Sequence, residues 1–210
     1  VSNVTSMAAM FAIASESLNL PFGNDYYGMY NAFRSASSFN QPIDSWDVSQ
    51  VTNMSCMFLN ALRFNQPIGS WNVSNVIDMS DMFHSAGSFD QPIGSWNVSK
   101  VTNMGAMFYH ASRFNRPIAS WNVSNVYTMD GMFDFATVFN QPIGSWNVSR
   151  VSSMDSLFRG ALYFDQPIGS WNVASVTNMH AMFSDAASFN QPIGSWNVCQ
   201  VTNISYMFCK

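Results

Sequence analysis

The feature that most constrains this chain is a period of 25 residues. Seven tryptophans each follow the one before by 25 positions: Trp46, Trp71, Trp96, Trp121, Trp146, Trp171 and Trp196. The segment FNQPIGSWNVS at 64–74 recurs unchanged at 139–149, and similar segments stand in five other places. A fixed period of about 20 to 50 residues is typical of proteins that stack repeated units. We therefore interpret the chain as a repeat array in which each unit buries its apolar face against its neighbours.

The apolar columns of one repeat, numbered on 54–78, predict a helix followed by a strand. The first set lies at i, i+3, i+4 and i+7, which favours one face of a helix of about two turns: Met54, Met57, Phe58 and Ala61. Pro67 ends this pattern, since the residue before a proline is biased away from helical geometry. Trp71 and Val73 then alternate with polar residues, which predicts a short strand whose tryptophan faces the core.

These patterns together predict an α/β repeat solenoid of the leucine-rich-repeat type, with 25 residues per coil. Short parallel strands would form a sheet on one face and short helices would cover the other. A parallel β-helix without helices is the alternative. Inter-coil polar ladders are expected in the column of Asn53 or in the column of Asn40. The array of about seven repeats spans 26–210 as one domain, residues 1–25 form a degenerate first coil or irregular loop, and both ends look cut from a longer array.

Composition argues against several classes of function. Charged residues make up only 10% of the chain and the net charge is −4, so we expect no basic patch for nucleic acid. No apolar run approaches the roughly 18 residues of a membrane helix, so we expect no membrane insertion by this segment. The three histidines stand in different repeat columns and the acids form no fixed pair across copies, so we expect no catalytic residues, metal or cofactor. An enzymatic site would have to lie in residues 15–30, where the pattern breaks.

The units FNQPIGSWNVSNVxxM and MFxxAxxFNQPI resemble a known repeat family. They are similar, over residues 26–210, to the 25-residue repeats of the BspA-like leucine-rich-repeat surface proteins, in the branch of unknown function found in bacterial lipoproteins and protists. This resemblance implies a non-enzymatic adhesive or binding array at a cell surface or outside the cell. It implies no particular ligand.

The candidate binding face consists of the outward polar columns beside each tryptophan. Serine precedes every tryptophan and Asn or Asp follows it, and the face comprises Ser70, Asn72, Ser95, Asn97, Ser120, Asn122, Ser145, Asn147, Ser170 and Asn172. Two explanations stay open: duplication with side-chain ladders and no ligand, or recognition of a large glycan or protein partner by many polar contacts. The alternative function is a structural subunit of an assembly that forms end-to-end contacts with other repeats or subunits.

Overall fold

The structure, a computed structural model, describes residues 32–210, and each repeat in it consists of turns joined by short segments without regular secondary structure. Within that range it contains no helix and no strand of more than one residue. Strand-like pairing is confined to six isolated parallel bridges between successive repeats, at Asn53–Asp78, Asp78–Asn103, Asn103–Thr128, Thr128–Ser153, Ser153–Asn178 and Asn178–Asn203. The predicted α/β, leucine-rich-repeat-like solenoid is therefore wrong, and so is the alternative of a parallel β-helix. The predicted degenerate coil at 1–25 lies outside the described residues.

Consecutive β-turns replace the predicted helix. The N–H groups of Met54, Cys56, Phe58 and Asn60 donate to carbonyls of the next repeat, at N···O distances of 2.8–2.9 Å. Met57 and Leu59, which lie between them, donate to the carbonyl three positions back. Cys56 and Asn60 have φ angles of 54° and 60°, the positive φ that a type II turn requires at its third residue. In a helix, the N–H groups beyond the first turn would donate to carbonyls of the same repeat, and the neighbouring repeat would lose these hydrogen bonds.

The same apolar residues nevertheless face the core. Met54, Met57, Phe58 and Ala61 have no exposed surface, because turns that close every three or four residues bring the same positions to one side as a helix does. The 3.6-residue pattern thus identified the buried side chains correctly and the backbone conformation incorrectly. Burial in the equivalent columns repeats as far as Phe183, whereas Ile204 and Phe208 in the last described repeat are exposed.

Aromatic rings form columns along the stack. The ring centroids of Phe58 and Phe83 lie 5.5 Å apart, and those of Trp96 and Trp121 lie 6.5 Å apart with nearly parallel planes. The indole Nε1–H of Trp121 donates to the carbonyl of Ile93 at 3.1 Å, and the equivalent bond recurs at the five other tryptophans from Trp71 to Trp196. The prediction that tryptophan fills the core is confirmed, and each buried indole N–H has its partner.

The Asn40 column forms the polar ladder between repeats. The Oδ1 of Asn40 accepts the backbone N–H of Asn65 at 2.9 Å, and the Oδ1 of Asn65 accepts that of Asp90 at 2.9 Å. The pattern continues to Asn190. Asparagine and aspartate both fit this column because the ladder needs a side-chain acceptor. The Asn53 column behaves differently, since its Oδ1 accepts the N–H of Ser55 within one repeat.

Candidate functional site

The ten residues of the predicted binding face, named here the serine–asparagine face, are all exposed. They do not lie on a strand, because the structure has turns at the serines and no regular secondary structure at the asparagines. The predicted sheet is therefore absent from residues 32–210. Each serine hydroxyl donates to a backbone carbonyl of the preceding repeat, as Ser120 does to Gly94 at 2.7 Å and Ser95 does to Gly69 at 3.1 Å. The hydroxyl hydrogen is thus engaged, and the oxygen lone pairs face outward as acceptors.

The asparagines of the face are held by a bond inside their own repeat. The Oδ1 of Asn122 accepts the backbone N–H of Ser124 at 3.1 Å, and Asn97 and Asn147 make the same Asx-turn contact at 3.2 Å. Asp47 stands in the same column and accepts the N–H of Ser49 at 3.0 Å. The preference for Asn or Asp in this column therefore has a structural cause. It also fixes the amide, whose Nδ2 donors form no hydrogen bond within the described residues.

The serine–asparagine face lies in a part of each repeat that lacks acidic residues. From the second tryptophan onward these stretches contain no Asp or Glu: 68–77, 93–102, 118–127, 143–152, 168–177 and 193–202. They contain two cations, Lys100 and Arg150, which stand two repeats apart in one column. Neither side chain forms an ion pair within residues 32–210, so this side of the stack carries a local positive charge in a chain whose net charge is −4.

Both cations are tethered to an asparagine of the preceding repeat. The Lys100 Nζ donates to the Oδ1 of Asn75 at 2.7 Å, and Asn75 in turn donates its Nδ2 to the carbonyl of Ser49 at 2.7 Å. Arg150 donates to Asn125 at 2.9 Å, and Asn125 donates to the Ser99 carbonyl at 2.7 Å. Neither residue was predicted from the sequence. The sequence signal for them is that both occupy the column of Asn75, where they alternate with asparagine from Asn75 to Arg150.

A second group of side chains, named here the turn cluster, consists of His110, Asp134, Phe135 and Arg159 and was not predicted from the sequence. Asp134 is only 1% exposed, and Arg159 binds both of its oxygens, with N···O distances of 2.9 Å and 2.6 Å. The Arg159 guanidinium lies over the Phe135 ring at 5.4 Å, and the His110 ring stacks on that same ring at 4.6 Å. Asp134 is therefore a buried charged residue in a column whose residue type varies between repeats. The 25-residue separation of Asp134 and Arg159 is the signal that places them in contact.

Burial and the hydrogen bonds between Asp134 and Arg159 shift the pKa values of the turn cluster. Burial raises the pKa of the Asp134 carboxyl, and the hydrogen bonds from Arg159 oppose that shift. The hydrogen bond to Asp134 raises the pKa of Arg159, and burial lowers the pKa of His110. Since the two carboxylate oxygens of Asp134 are both occupied by the guanidinium, the cluster has the character of an internal ion pair that fastens two neighbouring turns.

The described residues offer few groups for other chemistry. Within residues 32–210 no three His, Cys, Asp or Glu side chains are grouped as they would be around a metal ion. Burial raises the pKa of the Cys56 thiol to about 11, which disfavours the reactive thiolate. None of the described residues belongs to a helix able to span a membrane. Residues 15–30, where the repeat pattern breaks and an enzymatic site would have to lie, are outside the described part of the chain.

Comparison with protein families assigns the repeat array. The family described as "Mycoplasma protein of unknown function, DUF285" matches residues 27–143 and 113–210, two overlapping segments that together cover the tandem repeats. A search of curated proteins found no match to the chain. The finer resemblance to BspA-like surface proteins is not part of this match. Because the match covers more than half of its length, the chain belongs to the DUF285 family.

Proposed function

We propose that this chain is a non-enzymatic binding module that presents the serine–asparagine face to an extended partner at a cell surface. The observation that carries the proposal is the fixed orientation of the exposed asparagine amides. Their Oδ1 atoms are held by the Asx-turn bonds, as at Asn97, Asn122 and Asn147. Their donors therefore point outward before any partner arrives, and binding costs little side-chain entropy.

The spacing of the face suits a long partner. The parallel bridges set a rise of about 4.8 Å per repeat in the Asn53 column, and the tryptophan rings beside the face recur at 6.5 Å. Serine acceptors and asparagine donors therefore recur once per repeat along the stack. A neutral hydrogen bond contributes only about 0.5 to 1.5 kcal/mol. Useful affinity thus requires several repeats to bind one molecule together. A glycan or an extended polypeptide offers donors and acceptors over such a length.

The resemblance of the repeats to BspA-like surface proteins supports a surface location and an adhesive role. The turn cluster around Asp134 supports the non-enzymatic reading, since its carboxylate is bound on both oxygens by Arg159 and is nearly inaccessible. A structural subunit in an assembly is the alternative, and it would use other surfaces than the serine–asparagine face.

The test replaces donors without removing the turn contacts. In the triple variant Asn97→Asp, Asn122→Asp, Asn147→Asp, the Asx-turn acceptor is retained, as Asp47 demonstrates in the same column. The matched control is Asn65→Asp, Asn115→Asp, Asn140→Asp in the ladder column, where Asp90 and Asp165 already stand. Both triples change the charge equally.

Binding is measured by biolayer interferometry against immobilised glycans and matrix proteins. We expect the wild type and the ladder control to bind at least one member of the panel, and the face triple to lose that binding while it stays folded. Equal binding by all three proteins, or no binding by the wild type, would contradict the proposal; the second result would favour the structural subunit.

A further inference from the structure

We infer that the partner of the serine–asparagine face is a linear acidic polysaccharide that carries about one carboxylate or sulfate group per disaccharide. This inference rests on the proposed function and names the class of ligand. It derives from three features of the same side of the stack: the absence of acidic residues, the two tethered cations, and the spacing between those cations.

The absence of acidic residues makes this side unusual for the chain. Aspartates line the neighbouring columns, for example Asp90 in the ladder and Asp78 in the bridge column. Each of the six separate stretches that contain the face, the first at 68–77 and the last at 193–202, has no aspartate or glutamate. Asp44 and Asp47 appear only in the equivalent stretch of the first described repeat, 43–52. An anionic polymer along this side therefore meets no like charge over six repeats, and the boundary of the favourable region falls at that first repeat.

The cations are held ready for an external anion. Lys100 and Arg150 are exposed, and their contacts inside the protein are with neutral amide oxygens of Asn75 and Asn125. Each ammonium or guanidinium group keeps further N–H donors, since the ammonium has three and the guanidinium has five. By contrast, Arg116 and Arg159 on other parts of the stack are already bound to Asp90 and Asp134.

The spacing selects the kind of polymer. Two repeats separate Lys100 from Arg150, which corresponds to roughly 10 Å at the spacing of parallel pairing in the bridge column, three residues away in each repeat. A sugar residue in an extended polysaccharide has a length similar to the rise of one repeat. One anionic group per disaccharide would therefore match the two cations, while the uncharged sugar hydroxyls between them would meet the serine oxygens and the amide donors of Asn97, Asn122 and Asn147. A more densely charged polymer would leave anions opposite neutral repeats.

The experiment measures binding to hyaluronan oligosaccharides, which carry one carboxylate per disaccharide, with chondroitin sulfate, neutral dextran and duplex DNA as comparison polymers. The test variant is Lys100→Gln with Arg150→Gln, because glutamine already stands in this column at Gln50 and Gln200. The matched control is Arg63→Gln with Arg113→Gln. These two arginines are also exposed and also two repeats apart, but they lie in another column.

We expect the wild type to bind hyaluronan, with an affinity that falls as the salt concentration increases. We expect no binding of the wild type to dextran. The Lys100 and Arg150 variant should bind about tenfold more weakly, as loss of two exposed charge contacts implies, and the Arg63 and Arg113 control should bind as the wild type does. Equal weakening in both variants, or equal binding of duplex DNA, would overturn the inference in favour of unspecific charge attraction.

A third variant tests the spacing itself. Asn125→Lys with Arg150→Asn keeps two cations in the column but places them on adjacent repeats. It should bind hyaluronan several-fold more weakly than the wild type, and undiminished affinity would refute the two-repeat match. Binding of dextran or of a matrix protein by the wild type, with loss only in the Asn97, Asn122, Asn147 triple, would refute the acidic ligand and leave the proposed function standing. No binding to any polymer or protein would refute both.

Discussion

Truncation of Trp121 in a central repeat should be among the most destabilising single changes in the array. Its side chain is 3% exposed, and its ring centroid lies 6.5 Å from those of Trp96 and Trp146 and 6.3 Å from that of Phe108. Replacement of a buried tryptophan by alanine costs about 3 to 5 kcal/mol through lost packing and the cavity. The carbonyl of Ile93 also loses its indole donor, and an unpaired buried acceptor costs about 1 to 3 kcal/mol.

We therefore expect Trp121→Ala to lower the free energy of unfolding by about 4 to 8 kcal/mol, measured by urea titration with the fluorescence of the remaining tryptophans. Because each repeat contacts mainly its neighbours, we expect the unfolding transition to broaden as the two halves of the array uncouple. Trp121→Phe keeps a ring and removes the N–H, so it should show a smaller loss of about 1 to 3 kcal/mol.

The neighbouring Asn122→Ala variant is the control. It loses one exposed Asx-turn bond to Ser124 and should cost at most about 1 kcal/mol. If Trp121→Ala were no more destabilising than Asn122→Ala, the tryptophans could not be the packed interior of the stack, and the reasoning would fail.

Three further changes test other parts of the structure by the same urea titration. Gly131→Ala should destabilise the array by about 1 kcal/mol because φ is 60° there. Ala106→Gly, at φ 51° in the same repeat column, should be neutral or stabilising. A stabilising Gly131→Ala together with a destabilising Ala106→Gly would show that this column does not adopt positive φ. Asn140→Ala should cost about 1 to 2 kcal/mol, because the N–H of Asp165 loses its acceptor, and Asn140→Asp should cost much less; equal costs would argue against the ladder. Arg159→Ala should destabilise at neutral pH by roughly 1 to 3 kcal/mol. That loss should shrink on acidification, because burial already raises the pKa of Asp134 and, without the guanidinium, the neutral acid becomes the favoured buried form; a loss that grows at low pH would contradict this assignment.

The sequence predicts the contents of the core better than the path of the backbone. The columns of Met54, Met57, Phe58 and Ala61 are buried as expected, because periodicity reports which side chains face inward. Periodicity at that spacing cannot distinguish a helix from successive turns, and here the requirement to pair each repeat with the next decides the conformation. A local signal for the turns did exist: Gly131 and Gly160 fall in the columns that adopt positive φ.

The candidate site was predictable in part. Exposure of Ser120 and Asn122 followed from their alternation with Trp121 and Val123, although the strand that this alternation implied is absent. The Asx-turn bond of Asn122 is a backbone-dependent contact that composition could not reveal. The Asp134–Arg159 ion pair could be predicted only once the stacking register was known, because residues 25 positions apart are in contact only if successive repeats stack in register.

The most direct test of the binding face is to observe its asparagine side chains during titration with hyaluronan oligosaccharides. The Nδ2 proton resonances of Asn97, Asn122 and Asn147 are followed by NMR together with those of Asn115 and Asn140 in the ladder column. We expect the three face amides to shift in step with ligand concentration and the two ladder amides to stay unchanged. A bound ligand that shifts only the ladder amides or the turn cluster would contradict the claim that the serine–asparagine face is the recognition surface.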